Sequence, residues 1–251
     1  MDSAQLLTSD VRRAELALHR RTALACDAAS AAGVPGRFRA WEHAGLLAVQ
    51  ATDPALGYLS TVTGVTPETL PAVAGFLRQS DRDGAEPTVV APAGLPVPGL
   101  VPAGERILAV RQLEPTSAPA PEAVGEDTFL QVLLAGFEAH GPVAAFMTAE
   151  HRLPIMRRFV VREGETPIAA AGMTIDGGVA ILGAASTLPE YRGRGAQPAL
   201  LRRRLVAAAA EGCTLAVATA RPGSPSVANL ERAGFLLQRR TAWTSYRSGI
   251  A

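Results

Sequence analysis

Arg192-Gly193-Arg194-Gly195-Ala196-Gln197 is the stretch of this 251-residue chain whose residue types and spacing best suit chemistry. Two glycines, one residue apart, let a backbone turn through positive φ and present consecutive N–H groups on one side. The two arginines among them carry guanidinium forks that match phosphate oxygens. Pro198-Ala199-Leu200-Leu201 follows and reads as the start of a helix. The free N–H groups of its first turn and the positive end of its dipole then point at the same place. A turn of this kind is either a plain connector or a diphosphate cradle, and the residues alone leave both open.

The elements that must position this turn are legible around it. Arg157–Arg162, Pro167–Ile175 and Val179–Thr187 read as three strands, with Asp176-Gly177-Gly178 as a hairpin signal between the last two. The helix after the turn runs to about Gly212, with Leu200, Leu201, Leu205, Ala208 and Ala209 on one side and Arg202, Arg203 and Arg204 on the other. A strand at Thr214–Thr219, a helix at Ser224–Ala233 and a strand at Phe235–Tyr246 complete this half. Ahead of it, Phe129, Val132, Leu133, Gly136 and Phe137 form a helical stripe, and a short helix covers Val143–Glu150. The fold class is therefore α+β, a mixed and mostly antiparallel sheet flanked by helices.

The first half repeats a shorter version of this order. A helix over Val11–Ala29, with Ser9 and Asp10 as N-cap candidates, precedes strands at Gly45–Gln50 and Gly57–Thr63. Thr66-Pro67-Glu68 opens a helix that stops at Gly84, and strands at Pro87–Ala91 and Arg106–Leu113 follow. Val65-Thr66-Pro67-Glu68 and Thr187-Leu188-Pro189-Glu190 occupy matching places, which suggests two tandem copies. The Pro- and Ala-rich segment 114–123 is the best linker, dividing 1–113 from 124–251.

Composition narrows the function classes. A net charge of +1 removes the electrostatic case for a bulk nucleic-acid binder, and the Arg-Gly stretch sits between patterned elements rather than in a disordered RNA-binding tail. Cys26 and Cys213 offer neither a disulfide framework nor metal-ligand spacing, and the four histidines show no paired spacing, so no metal is expected. The first ten residues lack the pattern of a signal peptide, and no apolar run approaches bilayer length. The expectation is a cytoplasmic protein with no membrane partner.

The run Leu-Pro-Glu-Tyr-Arg-Gly-Arg-Gly-Ala-Gln at 188–197 resembles the acetyl-CoA signature of the GNAT N-acetyltransferase superfamily, Gln/Arg-x-x-Gly-x-Gly/Ala after a strand. Arg192 takes the first position and Gly195 the fourth; the sixth is Gln197, where the pattern has Gly or Ala. The helix 226–233 ending in Gly234-Phe235 resembles the family's second signature. The resemblance covers about 155–246, and implies a tandem GNAT fold in which 1–113 is a degenerate copy and 124–251 the acetyltransferase domain.

It also implies acetyl-CoA as co-substrate and a primary amine on a small molecule or peptide as acceptor. Ala185, Ser186 and Thr187 would pair with the pantetheine arm, while Arg192, Gly193, Arg194, Gly195, Ala196 and Gln197 would hold the pyrophosphate, chiefly through main-chain N–H groups. Asn229 would reach the pantetheine from the other side, or is a polar residue on a solvated helix face. Many members use a tyrosine acid four residues before the Gly of Gly-Phe, and here that residue is Leu230. Tyr191 and Tyr246 do not match that position. Glu138, Glu150, Glu165, Asp176 and Glu190 are candidate bases, with His140 beside the first of them. No catalytic residue emerges. A silent cofactor-binding module and a partner-binding scaffold, with room for a homodimer, are the other readings.

Overall fold

The computed structural model describes residues 8–82, 87–117 and 124–245. Helix α1 (Thr8–Ala31) is followed by strands β1 (Phe38–His43), β2 (Leu46–Ala51) and β3 (Thr61–Thr63), helix α2 (Leu70–Arg82), and strands β4 (Thr88–Pro92) and β5 (Val101–Gln112). Then come α3 (Glu126–Phe137), α4 (Gly141–His151), β6 (Arg157–Glu163), β7 (Thr166–Asp176), β8 (Val179–Ile181), β9 (Ala185–Thr187), α5 (Ala196–Ala210), β10 (Leu215–Ala220), α6 (Pro225–Arg232) and β11 (Leu236–Thr244).

Among the described residues, eleven strands share one sheet in the order β1-β2-β3-β4-β11-β5-β10-β8-β7-β6, with β9 paired to β7. This order reads alike from both ends. Three antiparallel strands lead to a parallel joint, β3 with β4 at one end and β8 with β10 at the other. Each joint is followed by an antiparallel strand from the opposite half of the chain: β11 lies against β4, and β5 against β10. The α+β, mostly antiparallel architecture is as expected.

The alternation of side chains in β10 shows how the core is divided. Leu215 and Val217 face α1, where Ala14 and Ala17 meet them together with Leu108, Val110, Val179 and Ile181. Ala216 and Ala218 face the other way, onto Leu200, Leu201, Leu205 and Ala208 of α5. A helix and a strand from the first half therefore complete the core of the second. Leu113 N–H and Thr116 N–H donate to the carbonyls of Thr214 and Ala209, which ties the start of segment 114–123 to the second half; residues 118–123 lie outside the described residues.

Several sequence expectations need correction. Residues 57–59, read as the start of a strand, belong to a 3-10 helix (Pro54–Leu59) that Asp53 caps by accepting from Ala55 N–H at 2.8 Å. Strand β1 was not anticipated; among the described residues it is an edge strand paired to β2 alone, and Arg39, Glu42 and His43 dilute its apolar pattern. Asp10 is no cap. It is buried inside α1 and accepts from Gln112 Nε2 of β5 at 2.9 Å. Gly84 and Tyr246 lie outside the described residues.

Candidate functional site

Val179–Thr187, expected as one strand, is broken in the middle, and the break creates the site. β8 stays on β10, extended by Leu182 N–H donating to Val217 O at 2.8 Å. β9 departs from β10 and pairs with β7 alone, Ala170 opposite Ser186. Between them Ala184 adopts a φ of +30°, and its carbonyl accepts from Gly172 N–H at 3.0 Å. Leu188 N–H donates to Ile168 O, so the alternation of an antiparallel ladder turns the main-chain groups of Ala185 and Thr187 away from β7, into the gap.

α3 holds β9 in this position. Ser186 is 5% exposed and donates from Oγ to Leu133 O at 3.0 Å. Gly136 lets the helix approach, because a Cβ there would lie 2.6 Å from Ser186 Oγ. Arg192 closes the far end, donating from Nη2 to Gly136 O at 3.1 Å and from Nε to Thr187 O at 3.4 Å.

At the mouth of the gap the chain turns into α5. Gly193 and Gly195 both sit at φ +81°, a conformation that costs other residues. Gly195 is the N-cap residue of α5 and no side chain caps the helix. The main-chain N–H groups of Gly193, Arg194, Gly195, Ala196 and Gln197 make no hydrogen bond with any described residue. Five consecutive free donors at a helix N-terminus are suited to an anion.

The gap and the turn share one cleft of about 1120 Å³, lined on its other wall by Ala218–Arg221 and by Ser226, Asn229 and Leu230. Nine of the ten anticipated cofactor contacts line it: Ala185, Ser186, Thr187, Arg192, Gly193, Gly195, Ala196, Gln197 and Asn229. Arg194 does not. Its guanidinium bonds Glu163 at 3.1 Å and Glu190 O at 3.1 Å, and lies over the Tyr191 ring. Gln197 folds back and donates to Thr187 Oγ1 at 2.9 Å, so its extra length does not cover the amides. Asn229 Oδ1 accepts from Arg232 while its residue faces the cleft.

The remaining candidates scatter. Leu230 is 3% exposed and forms apolar cleft wall where an acid was sought. Glu138 lies at the mouth, 3.8 Å from Arg192 and largely exposed. Asp176 pairs with Arg20 on the opposite side of the hairpin. Glu150 pairs with Arg21 of α1 at 2.8 Å, and that guanidinium fills the space beside Gly183, where a Cβ would meet it at 2.5 Å.

Arg204 is the residue that sequence reasoning misassigned. It was read on the polar side of α5 but is 5% exposed and lines the cleft. Its Nε donates to Leu200 O, and its Nη1 to Gly172 O and Gly183 O. No described carboxylate pairs with it, and burial pulls its pKa down to about 10, leaving it charged at neutral pH. The spacing Leu200–Arg204–Ala208 places all three on one helix face, and that signal was in the sequence.

The geometry of a splayed strand pair ending in a free-amide turn agrees with a match to the acetyltransferase (GNAT) family model over residues 127–235. Residues 127–235 are a GNAT acetyltransferase domain. Solved structures extend the likeness over the whole chain at the level of fold. A GCN5-related N-acetyltransferase from Kribbella flavida is similar with a TM-score of 0.60 at 16% identity, covering 89% of this chain and 97% of that one. A GNAT-family acetyltransferase from Colwellia psychrerythraea gives 0.54 at 12% identity, covering 97% and 99%. A GCN5-related N-acetyltransferase from Sphaerobacter thermophilus gives 0.55 at 16%, covering 91% of each. No curated protein matches the chain by sequence. Both halves of the sheet, not the GNAT domain alone, thus recur in these proteins. Among the described residues no cluster could hold a metal ion, and no helix is long and apolar enough to cross a membrane.

Proposed function

We propose that the chain is an acetyl-CoA-dependent N-acetyltransferase that transfers the acetyl group to a primary amine of a small molecule or peptide. The observation that carries this reading is the row of five unpartnered amides, Gly193 to Gln197, at the open end of the β9–β10 gap. The amides would hold the diphosphate. The gap-facing main-chain groups of Ala185 and the N–H of Thr187 would pair with the pantetheine arm, and Asn229 would face that arm from α6. Bound there, acetyl-CoA supplies an activated acyl group; the chain supplies orientation, which by itself carries a large share of such a reaction. The first half backs the cleft residue Gly183 with Arg21, and we read it as a second, degenerate copy of the same fold.

Calorimetry with acetyl-CoA tests the binding step, and thiol release across a panel of primary amines tests the transfer. Absence of any heat at millimolar acetyl-CoA rejects the reading. Leu230 in the place of an acid favours one alternative, a module that binds acyl-CoA without turning it over. Thiol release above the rate without protein rules that alternative out.

A further inference from the structure

The reaction proposed above leaves one charge to be managed, and Arg204 is the unexplained charge in the cleft. When the amine nitrogen attacks the thioester carbonyl, the C–N bond forms and the C–S bond breaks. The electron pair of that bond departs on sulfur as a thiolate, and the amine's proton goes to water. A thiolate in a cleft with an apolar Leu230 wall needs either a proton or a nearby cation. Resting on the proposed acetyl-CoA site, the geometry points to Arg204 as the cation that stabilises the departing thiolate of coenzyme A.

Position supports this assignment. β9 runs from Thr187 back to Ala185, about 7 Å of strand, and Ala184 and Gly183 lie just beyond it at the break. An arm anchored by its diphosphate at Gly193–Gln197 and paired along β9 brings its sulfur to the level where β8 and β9 part. Arg204 is fastened at that level by the carbonyls of Gly172 and Gly183. Its Nη2 makes no hydrogen bond with a described residue, and Arg204 lines the cleft.

The surrounding charges do not cancel it. Behind Gly183, Arg21 of α1 is paired with Glu150 of α4. Burial lowers the pKa of His151 of α4, against Gly172; Glu150 and the Met147 carbonyl oppose that shift, and the Arg21 and Arg158 cations add to it. Arg192 and Glu138 of α3 face each other at the mouth, and Arg221 and Arg232 stand on the α6 wall. α5 adds no acidic residue facing the cleft. A buried cation fixed by neutral carbonyls alone retains its field for an incoming anion.

The test titrates the thiol of coenzyme A bound to the intact protein, following thiolate absorbance with pH, in the wild type and in Arg204→Lys and Arg204→Met. The expected thiol midpoint in the wild-type complex lies about one pH unit or more below that of free coenzyme A. Lysine should keep much of the shift, and methionine should abolish it, while both still bind desulfo-coenzyme A. A wild-type midpoint at or above that of the free thiol overturns the assignment, whether or not either variant folds. So does an equal shift in Arg204→Met. Tighter binding of succinyl- than acetyl-coenzyme A, with the thiol midpoint unmoved, would make Arg204 a selector of acidic acyl groups and also overturn it. Failure of coenzyme A to bind at all is a different result, and removes the proposed function itself.

Discussion

The two strand-to-helix turns of this molecule occupy equivalent places in a sheet that reads alike from both ends, yet they treat their amides in opposite ways. In the first half, between β3 and α2, Thr66 N–H donates to Thr69 Oγ1 at 2.8 Å and Thr69 N–H to Thr66 Oγ1 at 3.3 Å, a reciprocal capping arrangement. Thr69 Oγ1 also donates to Gly64 O, which seals the turn from within. Between β9 and α5 there is no capping side chain, and five amides stay open. The strand beside the first turn stays on its parallel partner, whereas β9 leaves β10. A turn closed by its own hydroxyls is a connector. A turn of the same topology with open amides beside a gap is a site.

The largest way to break this comparison is to remove one half. Residues 124–251 expressed alone lose β5 from between β10 and β11 and lose α1 from over Leu215 and Val217. The fragment should show no cooperative unfolding transition by circular dichroism, and a well-folded fragment would show that the halves are independent. Next comes Gly195→Val. The site around Gly195 is open, so the burden is the positive φ that a β-branched residue resists. Losing one or two amide–phosphate bonds at about 1.5–3 kcal/mol each should weaken acetyl-CoA about a hundredfold in calorimetry, with the fold retained.

A smaller effect sharpens the contrast from the other side. Thr66→Ala with Thr69→Ala should cost about 1–2 kcal/mol in urea denaturation, while acetyl-CoA affinity stays within about twofold. A large loss of affinity would mean that the first turn also serves the cofactor. The smallest effect is one of pH. Burial lowers the pKa of both His19 and His151, so the unfolded chain takes up more protons than the folded one below about pH 6.5. Stability should be fully present above that pH and fall as the solution is acidified. Denaturation midpoints at pH 7.5 and pH 5 should differ less in His151→Phe than in the wild type.

Much of the site was legible because it is local. The Arg-x-x-Gly signature, the hairpin at 176–178 and the helix from 196 depend on neighbours in sequence, and nine of the ten anticipated contacts came together. Only the Arg194 side chain turns away, because its partner, Glu163, lies in another strand. Arg204 was misjudged because a run of three arginines looks solvated, although its spacing from Leu200 and Ala208 places it on the buried face.

By itself the sequence determined the class of fold, the free-amide turn and the chemistry such a turn invites, since backbone conformation at glycines and helix starts is set by short-range sterics and hydrogen bonding. Tertiary structure alone decided three things: that β5 and β11 each complete the other half's sheet, that Val179–Thr187 breaks to open a cleft, and that Arg204 on its wall meets carbonyls and no described carboxylate. Each depends on pairing between segments far apart in the chain, whose register and burial no local pattern encodes.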